Sequence, residues 1–387
     1  MARRLDVTNR PEAQLLSVYR EHGVVPKSSR EDNFNKPSDD LTAYRFVRPG
    51  NLVLNKMKTW QGSLAVSEFE GIVSPAYIVC SLSQDVHPRF AHYLLRSAPY
   101  VHLYQCLSKG IRPNQWDLPF DEFRKVPLVL PPIDEQRRIA SFLDEQGGRY
   151  DELIRQRQRQ EELLAARRTT VVDDAMRQAG PADYKLFRAL RVLRDGSHQP
   201  PPRVDAGVPL LTARNVSSGV LRLTESDTHV SDADAREMER SLAMVPGDVL
   251  LTVKGTIGAS AVVPVGFPRA VLDRNIALLR TGPSLTPEWL MYALRSTILQ
   301  DQMRVSVNFA AQPGLPLGLI RELRLPVPSP TAQRKLTVAI EAQYEWMDGL
   351  INFISRHVRL LSERRQALIT EAVTGQIDVT TARGVEA

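Results

Sequence analysis

PPIDEQRRIASFLDEQ, residues 131–146, opens a long amphipathic helix, and SPTAQRKLTVAIEAQ, residues 329–343, repeats its pattern. At an offset of 197 residues, FRKVPLVLPPIDEQRRI falls on IRELRLPVPSPTAQRKL. Val126, Leu128 and Leu130 land on Leu323, Leu325 and Val327, and Gln136-Arg137 land on Gln333-Arg334. The same shift carries Asp151 onto Asp348, Arg168 onto Arg365, and Pro49-Gly50 onto Pro246-Gly247. The chain is a tandem duplication, and each copy is an irregular region followed by a helix.

The helical segments start on a proline, which suits the first helical position, and Ser329-Pro330 makes an N-cap and first turn. Steps of four and three residues then trace a heptad-like seam through Leu143, Tyr150, Leu153 and Leu164 in the first copy. In the second copy the seam passes through Ile340, Met347, Leu350 and Leu361. The 3,4 stepping also places Arg167 and Arg364 on it. Gly147-Gly148 has no counterpart in the second copy; each glycine costs about 1 kcal/mol in a helix interior, and a kink or loosened turn is expected. A helix of about 45 residues is on the order of 68 Å long and cannot bury its own stripe. Two such helices in one chain are expected to pair, and to do so antiparallel, because the intervening region must bring the chain back.

Composition narrows the function. The 387 residues are 43% hydrophobic with a net charge of +6, and that surplus is spread along the chain without a basic tail. Nucleic acid is therefore permitted as a partner but not demanded. No apolar run is long enough to span a bilayer, so no membrane is expected. Cys80 and Cys106 stand in apolar contexts, which suggests reduced, buried thiols and a cytoplasmic protein.

Residues 1–122 and 181–322 are short β-like runs broken by Gly and Pro. FVRPGNLVLNKMK and AMVPGDVLLTVKGTIG share a Pro-Gly turn, an apolar strand and a Lys-bearing hairpin, and PRFAHYLLRS and PEWLMYALRS are matching helical patches. Catalytic signatures are missing. There is no phosphate loop, and neither Pro-Pro site is followed by an aromatic residue, as the base-holding motif of an adenine methyltransferase requires. His87, His92, His102 and Cys106 fit no common zinc spacing, and Asp195-Gly196-Ser197-His198 reads as a turn rather than a triad. Neither catalytic residues nor a metal site is assigned.

The ordered set of fragments resembles the specificity (S) subunit of type I restriction–modification enzymes. PPIDEQRRI is similar to the family's helical region, and DGSHQPPP…GVPLLTARNVSSGVL…VPGDVLLTVKGTIG is similar to one type of its recognition domain. SKGIRPNQWDLPFDEFRKVPLVLPPIDEQ is similar to the closing stretch of another. The resemblance covers nearly the whole chain. Copy two departs from it at Ala332-Gln333, where the motif has Glu-Gln, and the 48 residues before Pro49 leave the opening strand missing or shortened, so a truncated N-terminus is expected.

The resemblance implies an α/β (α+β) fold with two target-recognition domains and two long helices forming an antiparallel coiled-coil spacer. The segments are 1–122 (first recognition domain), 123–180 (first strand and helix), 181–322 (second recognition domain), 323–378 (second helix) and a tail at 379–387. It implies double-stranded DNA as partner, with two methyltransferase (M) subunits and restriction (R) subunits. It implies no cofactor on this chain, with S-adenosylmethionine, ATP and Mg held by the partners. Base and phosphate contacts in such domains come from Lys, Arg, Asn and Gln on loops. The candidates are Lys56, Lys58, Trp60, Lys109 and Arg112 in the first half, and His198, Gln199, Arg214, Asn215, Lys254 and Thr256 in the second. Spacer and partner-docking roles fall to Gln136, Arg137, Gln333, Arg334 and the eight seam residues. The alternative reading is a non-catalytic coiled-coil scaffold whose duplicated domains bind protein.

Overall fold

The computed structural model describes residues 2–20, 22–29, 36–110, 116–197, 201–217, 219–307 and 314–381. Its contacts form two compact units, Met1–Gln158 with Ser355–Ala387, and Arg159–Ile354. Each unit holds part of both long helices, Ile133–Ala179 and Pro330–Val373.

The helix ends follow from local chemistry. Asp134 and Glu135 in the first turn of the first helix complement its dipole, and the helix stops at Gly180, whose φ of 117° suits a residue without Cβ. Ser329 Oγ accepts from the Ala332 N–H at 3.4 Å at the start of the second. The first helix continues through Gly147-Gly148 without a break in its helical assignment. Gly147 is buried, and tertiary packing carries the helix where propensity does not.

In the first unit, the start of the first helix and the end of the second share one core: Ile139, Ala140 and Leu143 with Ile369, Ala372 and Val373. Arg365 Nε lies 3.1 Å from Asp151. In the second unit the ends are exchanged, with Val171, Val172 and Met176 sharing a core with Ile340 and Met347. There Arg168 pairs with Asp348 and its carbonyl accepts from the Tyr344 hydroxyl at 3.2 Å. Partner numbers fall as helix numbers rise, so the helices pair antiparallel. Leu143, Tyr150, Ile340 and Met347 are buried on the seam, and Leu153, Leu164, Leu350 and Leu361 are half-buried. The paired arginines are Arg168 and Arg365, one position beyond Arg167 and Arg364, which are exposed. A 3.6-residue helix drifts about 20° per heptad against a 3.5 repeat, which accounts for the slip.

Each unit is built on the same antiparallel four-stranded sheet. The first runs Ala2–Leu5, Tyr77–Leu82, Leu52–Asn55, Leu64–Val66, and the second Leu190–Asp195, Ile276–Thr281, Val249–Thr252, Ser260–Val262. The opening strand of the first unit is thus present, at four residues against six. Both Pro-Gly turns feed the second-to-last strand in that order. Gly50 and Gly247 have φ of 86° and 88°, and the turns close by Asn51 N–H to Arg48 O (3.0 Å) and Asp248 N–H to Val245 O (3.1 Å). In each unit the helical patch packs on this sheet, with Phe90 and Leu94 in the first core and Trp289 and Leu290 in the second. Cys80 is buried there, and burial pushes its thiol up to about 12. Cys106 is exposed, contrary to expectation, because its helix turns that face outward.

The repeat motif has one chemical centre. Gln136 is 1% exposed and Gln333 0%. Gln136 Oε1 accepts from the His87 N–H (2.8 Å) while its Nε2 donates to Asp85 O and Pro131 O (both 2.9 Å). Gln333 Oε1 accepts from the Thr286 N–H (2.8 Å) while its Nε2 donates to Ser284 O and Pro328 O (both 2.7 Å). Both glutamines therefore clamp the loop that launches their own unit's helical patch. They are sealed inside, which corrects their assignment to partner docking; Arg137 and Arg334 beside them are exposed.

Gln136→Ala and Gln333→Ala each strip the partner from a buried N–H and two carbonyls, for a loss of about 2–4 kcal/mol. Hydrogen exchange should show faster opening at His87 for the first variant and at Thr286 for the second. Unchanged protection at those amides would contradict the clamp.

Candidate nucleic-acid interface

The basic loops are assembled by the same framework twice. In the first unit, Lys56 and Lys58 sit on the hairpin after Leu52–Asn55, with Lys58 exposed and Lys56 half-buried. The Leu118 N–H reaches Lys56 O at 3.4 Å, and Lys109 and Asp117 pinch the closing loop with two backbone bonds of 2.9 Å. Lys109 is exposed, so the structure brings it to the same end of the sheet as the hairpin lysines. Arg112 lies outside the described residues. Trp60 does not belong to this surface. It is 8% exposed, donates Nε1–H to Met57 O at 3.1 Å, and its ring centroid is 4.8 Å from that of Trp116. It ties the hairpin to the closing loop as an aromatic pin.

In the second unit, Lys254 and Thr256 occupy the equivalent hairpin, and the Leu315 N–H bonds Val253 O at 2.8 Å. Gly255 approaches the Ala213 turn, so Arg214 on that turn lies on the same side. Arg214 is exposed and donates to Ser226 O at 3.2 Å. His198 and Gln199 lie outside the described residues; they follow Ser197, whose N–H bonds Leu272 O at 3.2 Å. His102 and Cys106 are exposed and His92 is half-buried, and among the described residues no three such groups gather as metal ligands.

Asn215 is a second correction. It is 2% exposed, and its whole amide is committed. Its Oδ1 accepts from the Thr212 N–H (2.8 Å) and hydroxyl (3.1 Å), while its Nδ2 donates to Arg222 O (2.9 Å) and Asp227 Oδ2 (2.8 Å). It braces the Arg214 turn. Arg274, which its residue type alone does not single out, is exposed on the turn joining Val271–Leu272 to Ile276–Thr281. That turn adjoins the hairpin through the Val253 N–H to Asn275 O bond of 2.8 Å. Its signal was the charged DRN triplet between two apolar strands.

No family model matches the chain. It is 23% identical over 282 residues to the type I restriction enzyme EcoBI specificity subunit of Escherichia coli, a match covering 65% of this chain and 58% of that protein. It is 18% identical over 377 residues to a putative type I restriction enzyme MjaX specificity subunit of Methanocaldococcus jannaschii, covering 89% of this chain and 82% of that one. A solved chain from work on complex assembly and conformational transition of the type I R-M system superposes with a TM-score of 0.68 at 17% identity, over 97% of this chain and 95% of that one. The chain has the fold of a type I specificity subunit. The crystal structure of the HsdS subunit from Thermoanaerobacter tengcongensis superposes at a TM-score of 0.51 and 16% identity, over 97% and 94%. The resemblance first carried by the repeat motif thus extends along nearly the full chain, in the helices and the sheets alike.

Asp227, beneath the Arg214 turn, gives a pH test. Burial alone raises its pKa, but the bonds from the Thr224 N–H, the Asn215 amide and the Thr224 hydroxyl outweigh this, and the carboxyl titrates below its ordinary value. Its stabilisation is complete above the unfolded value, about 3.9, and is lost as pH falls through the lower folded value. Melting curves from pH 5 downward should show that loss in the parent chain. Asp227→Asn should remove that group's share of the acid slope, and an identical slope would rule out the brace.

Proposed function

We propose that the chain is the DNA-recognition subunit of a type I restriction–modification complex. It reads a split, asymmetric sequence and directs adenine methylation and restriction that partner subunits carry out. The observation supporting this most directly is the pair of units with one sheet topology and differing basic loops at the same end of it. An identical framework with different loops suits two different half-sites, because phosphate contacts position a domain while loop side chains specify bases. Lys56, Lys58 and Lys109 serve the first half-site, and Arg214, Lys254, Thr256 and Arg274 the second. The chain itself is non-catalytic in this reading, with S-adenosylmethionine, ATP and Mg on the partners.

The long helices set the unread gap and offer a docking face for two methyltransferase subunits. Supporting this, Val338, Trp346 and Phe353 on the second helix are about two-thirds exposed, at 63%, 64% and 63%. At the matching positions of the first helix stand Ser141, Arg149 and Gln156. Large exposed apolar side chains spaced about two helical turns apart suit a protein interface.

Genome-wide mapping of N6-methyladenine with and without this gene, with the partner subunits expressed, should show one bipartite motif that disappears in its absence. Retention of every motif would reject the reading. Removing one heptad from each helix shortens them by about 10 Å, or roughly three base pairs of B-DNA. The gap between half-sites should contract accordingly while the half-sites themselves are unchanged.

A further inference from the structure

Around Tyr344, three residues of the second unit recur in the first while the ring itself does not. In the second unit the Tyr344 ring is held among Arg168, Arg295 and Tyr292. The guanidinium carbons lie 5.1 and 5.8 Å from its centroid, and the Tyr292 ring stands edge-on at 5.8 Å. Its hydroxyl donates to Arg168 O at 3.2 Å. The 197-residue offset carries Tyr344 back to Gly147 and Arg168 forward to Arg365, while the patches PRFAHYLLRS and PEWLMYALRS match Tyr93 with Tyr292 and Arg96 with Arg295. The three holder residues recur in the first unit, where Tyr93 also donates to Asp144 at 2.6 Å and carries the Arg89 guanidinium 5.4 Å over its ring, and glycine stands in place of the tyrosine.

An open cleft of ≈ 900 Å³ stands there, lined by Gly147, Tyr93, Arg96 and Arg365 among others. A Cβ built on Gly147 would lie 3.9 Å from the Arg365 guanidinium and 4.0 Å from the Tyr93 hydroxyl, so it points at the holder without a clash. The lining carries four arginines, Arg20, Arg89, Arg96 and Arg365, and four carboxylates, Glu68, Asp144, Asp151 and Glu363. Arg89 pairs with Glu68 and Asp144, and Arg365 with Asp151. Charge is therefore balanced, which argues against a phosphate or other strong anion. Guanidinium planes already paired through their edges still attract a neutral π face.

We propose that this cleft binds a small neutral phenolic ring, seated as the Tyr344 ring is in the other unit, with its hydroxyl donating to the Arg365 carbonyl. The ligand completes the first unit's helix pairing, so binding stabilises that unit. The inference is independent of the DNA-reading proposal.

The probe is p-cresol, the isolated tyrosine side chain, titrated into the full chain by calorimetry. One saturable site is expected. 4-Methylanisole, which lacks the donor, and 4-methylcyclohexanol, which lacks the π face, should each bind at least tenfold more weakly. Gly147→Tyr should seat its own ring and abolish the site, and Tyr344→Ala should open a second site of similar affinity. Intermolecular NOEs between p-cresol and Tyr93 in the unsubstituted chain locate the ring whether or not the variants fold. No saturable binding up to 10-fold molar excess at millimolar p-cresol, equal affinity for the two control compounds, or binding without contact to Tyr93 would each overturn the proposal.

Discussion

The buried glutamine at the start of each long helix is the contact on which the rest of the architecture depends. A glutamine side chain offers one acceptor and two donor hydrogens at a fixed separation. Gln136 and Gln333 use them alike, taking one N–H and giving to two carbonyls. Those backbone groups belong to the loop ahead of the helical patch and to the proline that precedes the long helix. One side chain thereby ties the helical patch of its unit to the start of a long helix, twice. An unpaired amide in that position would be strongly destabilising, so the geometry is all-or-none.

From that anchor the helices can pair only in one direction. Each unit contains the start of one long helix and the end of the other, so neither unit has a complete core without both. Ile139 and Leu143 need Ile369 and Ala372, as Met176 needs Ile340 and Met347. The ion pairs Asp151–Arg365 and Asp348–Arg168 hold matching registers in the two units. They are partly exposed and contribute modestly, so register rests chiefly on the apolar seam.

The sheets explain how one scaffold tolerates two different loop sets. Strand order, pairing direction and the Pro-Gly turns are the same in both units, while the hairpin tips and closing loops differ in sequence. Trp60 with Trp116 braces one set, and Asn215 with Asp227 braces the other. Trp60, Asn215 and Asp227 are buried and Trp116 is half-buried, while Lys58, Lys109 and Arg214 around them are exposed.

The sequence by itself determined the duplication, the antiparallel pairing, the Pro-Gly turns and the seam through Leu143, Tyr150, Ile340 and Met347. These are repeated or periodic features, and period and offset are properties a string of residues carries openly. Only the tertiary structure decided that Gln136, Gln333, Trp60 and Asn215 turn inward, that Arg168 and Arg365 replace their neighbours on the seam, and that Arg274 joins the basic loops. The same amide or indole can meet a base or a backbone carbonyl, and burial alone separates the two uses. Tyr344 and Gly147 show the difference most sharply: aligned, they are one substitution in a repeat, but folded, they are a filled holder and an empty one.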